Sequence, residues 1–175
     1  MEPISLKALR KTIATSAYKD GLLFCFGSSF ISRLIQAKTK LYPEEIVPSH
    51  VAMLFNGHIY ESTSGSEKVR GKTIPAGVRR WLLDDFYKVE HKKETTYVYV
   101  PCPLDEATLD AHIHKPYGKD AIVDYLLADK SKGSAKGLIC SQYANLCAGY
   151  IDSPCCTPAE LYRTVLNELG RNNKQ

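Results

Sequence analysis

Residues 49–61 read SHVAMLFNGHIYE, and this stretch predicts a β-hairpin around which the rest of the chain can be placed. The Asn-Gly pair at 56–57 is the strongest short signal for a two-residue turn, because both central residues of a type I′ turn need a positive φ. The apolar runs on either side then pair outward from Phe55 opposite His58. Turn type therefore fixes the register of the two strands.

This register brings two polar side chains together. Side chains alternate along a strand, so His50 and Glu61 point to the same face and lie diagonally across the pair. An imidazole beside a carboxylate is the orienting half of a nucleophilic triad and lacks only the nucleophile. The best candidate is Cys140, because residues 138–147 have a helical pattern that places it in a first turn, where a thiolate is favoured.

Length and composition indicate one domain over residues 1–175, with a leading helix at 4–17. A hydrophobic content of 44% excludes general disorder. The net charge of +4 comes from 23 Lys and Arg against 19 Asp and Glu. Because the basic residues are dispersed, we expect a solvated surface and no nucleic-acid partner. The oligomeric state is not legible from the sequence.

The chain offers neither the apolar core of a secretory signal nor a run long enough to span a membrane. We therefore expect a cytoplasmic protein whose six cysteines are mostly free thiols. No cofactor or metal site is expected. His112 and His114 stand two residues apart on a predicted helix, where their side chains diverge, so surface histidines are favoured over a zinc site.

The remaining pattern alternates short strands with amphipathic helices. Gly27 precedes two serines, of which Ser28 or Ser29 should cap a helix; an ordinary cap is favoured over an anion site. Further strands are predicted at 22–26 and 95–100, a short amphipathic turn or helix at 78–86, and a connection at 68–77. Further helices are predicted at 30–36, 105–114, 119–127, 138–147 and 159–169.

Each candidate residue also has a structural interpretation. A lone cysteine on an apolar helix face is usually a small buried hydrophobe. That interpretation suits Cys147, Cys25 and Cys102, and it competes for Cys140. A lone histidine is usually structural as well, but the pairing of His50 with Glu61 favours a functional role.

Several short motifs, taken in order, resemble a known family. They are Ser49-His50-Val51, Tyr60-Glu61, Tyr117, Cys140-Ser141 and the Thr-Pro-Ala-Glu-Leu stretch at 157–161. In this order they resemble the permuted branch of the NlpC-type papain-like cysteine peptidases, especially the YiiX/YebB-like members, with lecithin retinol acyltransferase more distant. The resemblance covers about residues 21–165 and leaves the leading segment, 1–19, outside.

The resemblance implies an α+β, circularly permuted papain-like (NlpC-type) fold, in which a small antiparallel sheet packs against helices. It also implies catalytic roles: Cys140 as nucleophile, His50 as general base and acid, and Glu61 as the orienting third member. Tyr117 and Ser141 are implied as substrate-binding residues, with Tyr117 lining a groove or supporting an oxyanion. The chain departs from the family's Cys-Ser-Glu pattern at Gln142.

The expected function is hydrolysis of an amide or ester bond through a thioester acyl-enzyme. Candidate substrates are cell-wall peptide or isopeptide bonds and N-acyl or lipid-linked amides. Two alternatives stay open: an acyltransferase with the same chemistry, and a non-catalytic module that binds an acylated or peptide ligand. A structural or phage-particle protein is a third option, for which the sequence contains no positive evidence.

Overall fold

A computed structural model describes residues 1–17, 19–118, 137–152 and 156–172. These residues form an α+β protein with a five-stranded antiparallel sheet and six helices. The helices are α1 Leu6–Thr15, α2 Phe30–Thr39, α3 Leu83–Glu90, α4 Glu106–Ala111, α5 Cys140–Ala148 and α6 Pro158–Asn172. The strands are β1 Gly21–Phe26, β2 His50–Phe55, β3 His58–Thr63, β4 Glu67–Val69, β5 Lys72–Ile74, β6 Gly77–Leu82 and β7 Thr96–Pro101.

The predicted hairpin lies at the centre of the sheet, whose strand order is β6-β3-β2-β1-β7. Asn56 and Gly57 have φ angles of 45° and 73°, as a type I′ turn requires. Phe55 pairs with His58, and Met53 with Tyr60, so the predicted register is confirmed. β4 and β5 form a separate two-stranded hairpin.

Each face of the sheet covers a hydrophobic core. One face, with Phe24 and Met53, packs against α5 and α6. The other face, with Leu54 and Trp81, packs against α1 and α3. The leading helix is thus part of the body of the protein: Leu9 of α1 is fully buried in this second core.

Side-chain caps fix where several helices begin. The Ser29 hydroxyl accepts a hydrogen bond from the Ser32 N–H at 3.1 Å, so the predicted cap at the start of α2 is confirmed. Asp105 caps α4 through the Thr108 N–H at 3.2 Å. These contacts satisfy N–H groups that have no acceptor within the helix.

Two segments differ from prediction. The turn or helix predicted at 78–86 is a strand, β6, followed by α3; six residue pairs with β3 outweigh the helical spacing of its apolar residues. The connection predicted at 68–77 contains β4 and β5, joined by Arg70 and Gly71 with positive φ. The helix predicted at 119–127 lies outside the described residues. Within the described residues, no helix has the length and apolarity needed to cross a membrane.

Candidate active site

Two central strands carry a histidine–carboxylate pair. His50 is the first residue of β2, and Glu61 lies within β3. The His50 Nε2 and Glu61 Oε2 atoms are 2.8 Å apart, so the contact predicted from the hairpin register is present. The Glu61 side chain is only 7% exposed, whereas that of His50 is 27% exposed. The imidazole therefore connects a buried carboxylate to the surface of a groove.

Arg79, which the sequence analysis missed, holds the other oxygen of this carboxylate. It lies directly opposite Glu61 in the β3–β6 ladder. Its Nε and Nη2 atoms donate to Glu61 Oε1 at 2.9 and 2.7 Å. Its Nη1 donates to the Gly65 carbonyl at 3.0 Å, and the guanidinium lies 4.8 Å from the centre of the Trp81 ring. The carboxylate is thus fixed in orientation as well as in charge.

These contacts keep Glu61 ionised inside the protein. Burial alone would raise its pKa, but the hydrogen bond with His50 and the charge of Arg79 outweigh burial and lower the pKa to about 2. Because the ionised carboxylate accepts from His50 Nε2, the other ring nitrogen, Nδ1, remains for a further partner.

Cys140 is the nucleophile candidate that interacts with this imidazole. It is the first residue of α5, whose N-terminus packs beside β2. Its thiol interacts electrostatically with the His50 imidazole, and this interaction shifts the pKa of both groups. The Gln142 Oε1 accepts from the Ile139 N–H at 3.2 Å and so caps the helix start. The residue at which the chain departs from the family pattern therefore has a capping role.

The thiol and the imidazole shift each other's pKa in opposite directions. Burial opposes a charge on Cys140, yet the charge and hydrogen bond of His50 outweigh it and lower the pKa of the thiol. Burial likewise opposes a charge on His50, but the Cys140 thiolate and then Glu61 raise the pKa of the imidazole to about 10. Both shifts favour the thiolate and imidazolium forms of the pair over the neutral forms.

The remaining two candidate residues lie in different surroundings. Tyr117 lines the groove and pairs with Leu138 just before α5. Burial, with the nearby charge of Cys140, raises the pKa of its phenol, so the hydroxyl stays a donor. Ser141 is fully buried, and its hydroxyl donates to the Cys156 carbonyl at 2.5 Å. Its side chain is therefore part of the core and does not line the groove.

The groove beside His50 has a volume of about 530 Å³. Its described lining combines hydroxyl groups with a few apolar and charged side chains: Ser28, Ser29, Ser32, Ser49, Thr63, Ile31, Ile35, Arg79, Glu67, Lys93 and Glu94. Cys140 itself is 5% exposed and is not one of the residues that line the groove. Among the residues that the structure describes, no three His, Cys, Asp or Glu side chains cluster as a metal would require.

Three other described cysteines lie in surroundings that disfavour the thiolate. Cys25 lies opposite His50 on β1, but burial raises the pKa of its thiol well above the usual value. Burial also raises the pKa of Cys102 and Cys147, the latter to about 12. These three are free thiols in the core, where Cys156 is buried as well.

The fold and site together define an α+β protein with a Cys140–His50–Glu61 constellation at a groove. Comparisons with protein-family models, curated proteins and solved structures find no match to this chain.

Proposed function

We propose that the protein is a thiol-dependent hydrolase that cleaves an amide or ester bond through a thioester acyl-enzyme. The observation that carries the proposal is the position of the His50 imidazole, which contacts the Glu61 carboxylate through Nε2 at 2.8 Å and interacts electrostatically with Cys140. This arrangement of nucleophile, base and orienting group is what acyl transfer by cysteine requires.

We further propose that the fold is a circularly permuted papain-like fold. The order of the residues along the chain supports this proposal, because His50 and Glu61 precede Cys140. The packing of α5 against the central strands supports it as well, since the nucleophile helix then meets the histidine strand.

Acylation begins with attack of the Cys140 thiolate on the carbonyl carbon of the substrate. The C–S bond forms as the carbonyl π electrons move to oxygen, which gives a tetrahedral oxyanion. When this intermediate collapses, the C–N or C–O bond breaks and the His50 imidazolium protonates the leaving amine or alcohol. Glu61 stays ionised throughout and stabilises the imidazolium.

Deacylation uses the imidazole that acylation leaves neutral. His50 removes a proton from water, and the resulting hydroxide attacks the thioester carbon. Collapse then breaks the C–S bond, releases the carboxylic acid and restores the Cys140 thiolate beside the imidazolium.

Two groups are placed to stabilise the oxyanion. The Cys140 N–H lies in the first turn of α5, where backbone donors have no acceptor within the helix. The phenol of Tyr117, which remains protonated, is the second donor that faces the groove.

The substrate class that we propose is a peptide, isopeptide, or N-acyl or lipid-linked amide. Hydroxyl groups along the groove, such as those of Ser28 and Thr63, suit amide hydrogen bonding. Ile31 and Ile35 offer an apolar wall on the same groove.

Labelling with a panel of acyl-bearing thiol electrophiles tests the proposal. The wild-type protein should be labelled on Cys140, with a preference among acyl groups that reveals the substrate class. Cys140→Ala should lose the label, whereas the matched variant Cys147→Ala should keep it. Absence of Cys140 labelling across the whole panel would refute the proposal.

One observation favours a second candidate, a binding module without turnover. Cys140 is only 5% exposed, and a buried thiol is normally inert. Such a module would retain ligands on the groove yet show no acyl-enzyme.

Product analysis with and without added acceptors separates hydrolysis from transfer of the acyl group to a second molecule.

A further inference from the structure

One face of the protein exposes a concentration of large apolar side chains. Five such residues lie within the 31–46 segment and are 42% to 74% exposed. We call them, with the basic residues among them, the α2 surface: Ile31, Leu34, Leu41, Tyr42, Ile46, Arg33, Lys38 and Lys40. Elsewhere in the described chain, the exposed large apolar residues are the separate Met1, Leu82 and Leu146.

The helix presents this surface in an ordered way. Ile31, Leu34 and Lys38 follow the i, i+3, i+7 spacing that places residues on one side of a helix. On the inward side, the Gln36 amide donates to the Gly27 carbonyl at 3.3 Å, and Arg163 of α6 donates to the Thr39 carbonyl at 2.6 Å. Ile31 and Leu34 are therefore held outward by a helix that is anchored to the body, and the other three apolar residues of the surface follow that helix in the chain.

The charge of the α2 surface is positive. Arg33 and Lys40 border an open hollow of about 510 Å³ that Tyr42 also lines. Of the two acidic residues in the segment, Glu44 is exposed. Glu45 is neutralised by Arg163, whose Nε donates to its carboxylate at 2.7 Å. Arg33 and Lys40 therefore lie beside the apolar Leu41 and Tyr42 at this hollow.

We propose that the α2 surface docks on an anionic phospholipid bilayer. Apolar side chains on an exposed helix enter the boundary between headgroups and acyl chains, and flanking basic residues bind the lipid phosphates. Leu34 and Leu41 supply the first interaction, and Arg33 and Lys40 the second. Long basic side chains suit this position because their stems cover apolar surface while their charges reach the phosphates.

A bilayer fits this surface better than a second copy of the chain does. In a symmetric dimer the same patch meets itself, so Arg33 and Lys40 of each copy would approach like charges. An anionic membrane turns the same cations into attraction.

The α2 surface is continuous with the groove. Ile31 belongs to both, and Ser28, Ser29 and Ile35 line the groove beside it. Docking would bring the groove mouth to the membrane interface. The proposal concerns binding alone and does not depend on the chemistry of Cys140.

Vesicle flotation with the full-length Cys140→Ala variant tests the proposal without turnover. Vesicles of phosphatidylcholine with about 30% phosphatidylglycerol should carry the protein to the top of the gradient, and added salt should release it. Pure phosphatidylcholine vesicles should bind it far more weakly. Each of Arg33→Gln and Lys40→Gln should weaken binding about fivefold.

Leu34→Glu should weaken binding about tenfold or more, because it places a charge where the apolar contact forms. Leu82→Glu is the matched control, since Leu82 is similarly exposed but lies away from the α2 surface, and it should bind as its parent does. Absence of flotation, or flotation that Leu34→Glu leaves unchanged, would overturn the proposal. Sedimentation that shows a dimer dissociated by Leu41→Glu would also overturn it, in favour of self-association. If Cys140 labelling succeeds while flotation fails, the hydrolase proposal stands without the membrane.

Discussion

The two ends of α5 carry cysteines in nearly equal burial but opposite electrostatic surroundings. Cys140 is 5% exposed and Cys147 is 4% exposed, and both contribute to the same core. Seven residues apart, they lie on the same side of one helix. Yet the pKa of Cys140 is lowered, whereas that of Cys147 is raised to about 12.

The difference lies in the neighbours of each thiol. Cys140 is at the helix N-terminus, and the charge of His50 lowers the pKa of its thiol. Cys147 is near the C-terminal end, where burial first and then the carboxylate of Asp105 raise the pKa of its thiol. Burial alone therefore makes a cysteine inert, and a positively charged partner reverses its effect.

Removal of each cysteine in turn should give the largest contrast. Cys140→Ala should reduce turnover of an acyl substrate by about 10⁴-fold or more, because the nucleophile is lost. Cys147→Ala should keep wild-type turnover and lose only the modest stability of a small core side chain. Steady-state kinetics with thermal unfolding of both variants measures the contrast. Equal turnover by the two variants would remove Cys140 from the mechanism.

His50→Ala should make Cys140 resemble Cys147. Loss of the imidazole removes both the proton transfer and the charge that stabilises the thiolate, so turnover should fall by about 10²- to 10⁴-fold. The pKa of Cys140 should rise above the ordinary thiol value. Stopped-flow alkylation across pH measures this pKa. A Cys140 pKa that is still lowered in His50→Ala would contradict the role assigned to His50.

Glu61→Gln should reduce turnover less than His50→Ala does, because the carboxylate orients the base without taking the proton. Imidazolium is the acid that protonates the leaving group, so acylation should decline as pH rises through the His50 pKa near 10. Without the carboxylate this pKa falls, and the alkaline limb of the pH–rate profile should shift to lower pH. A greater loss for Glu61→Gln than for His50→Ala would reverse the assigned roles.

Arg79→Leu should act mainly on stability. It leaves the buried Glu61 charge without its cation, which should cost about 3 kcal/mol in the free energy of unfolding at neutral pH. The lowered pKa of Glu61 contributes stability above its ordinary value of 4.5 that is lost as pH falls toward 2. The deficit of the variant should therefore shrink in acid.

Urea unfolding at pH 7 and pH 4 measures this difference. Arg80→Leu is the control on the next residue, where a half-exposed side chain should contribute about 1 kcal/mol at most. A neutral-pH cost for Arg79→Leu no greater than that of Arg80→Leu would show that the guanidinium does not hold the carboxylate.

The contact between His50 and Glu61 could be predicted because it is local. An Asn-Gly turn fixes hairpin register, and register fixes which side chains share a face. The start of α5 at Cys140 was also predictable from its helical pattern. Both features depend on residues close together in the chain.

The role of Arg79 and the approach of Cys140 to His50 depend on packing between distant segments. The apolar residues around Arg79 fit a helical spacing, and only the partner strand β3 makes this segment a strand. The Cys140–His50 contact requires α5 to pack beside β2, which no spacing in the sequence specifies. Such tertiary choices override local propensity.

His50 should keep Cys140 as a thiolate while the thiol of Cys147 stays protonated. The folded wild-type chain is alkylated with iodoacetamide over roughly pH 5 to 10, a range that brackets the pKa of an ordinary thiol. Peptide mass spectrometry then reports the modification of both cysteines in one sample. We expect the pH midpoint of Cys140 alkylation to lie below the ordinary thiol pKa, and we expect Cys147 to stay unmodified. A Cys140 midpoint at or above the ordinary value, or reaction of Cys147 ahead of Cys140, would contradict it.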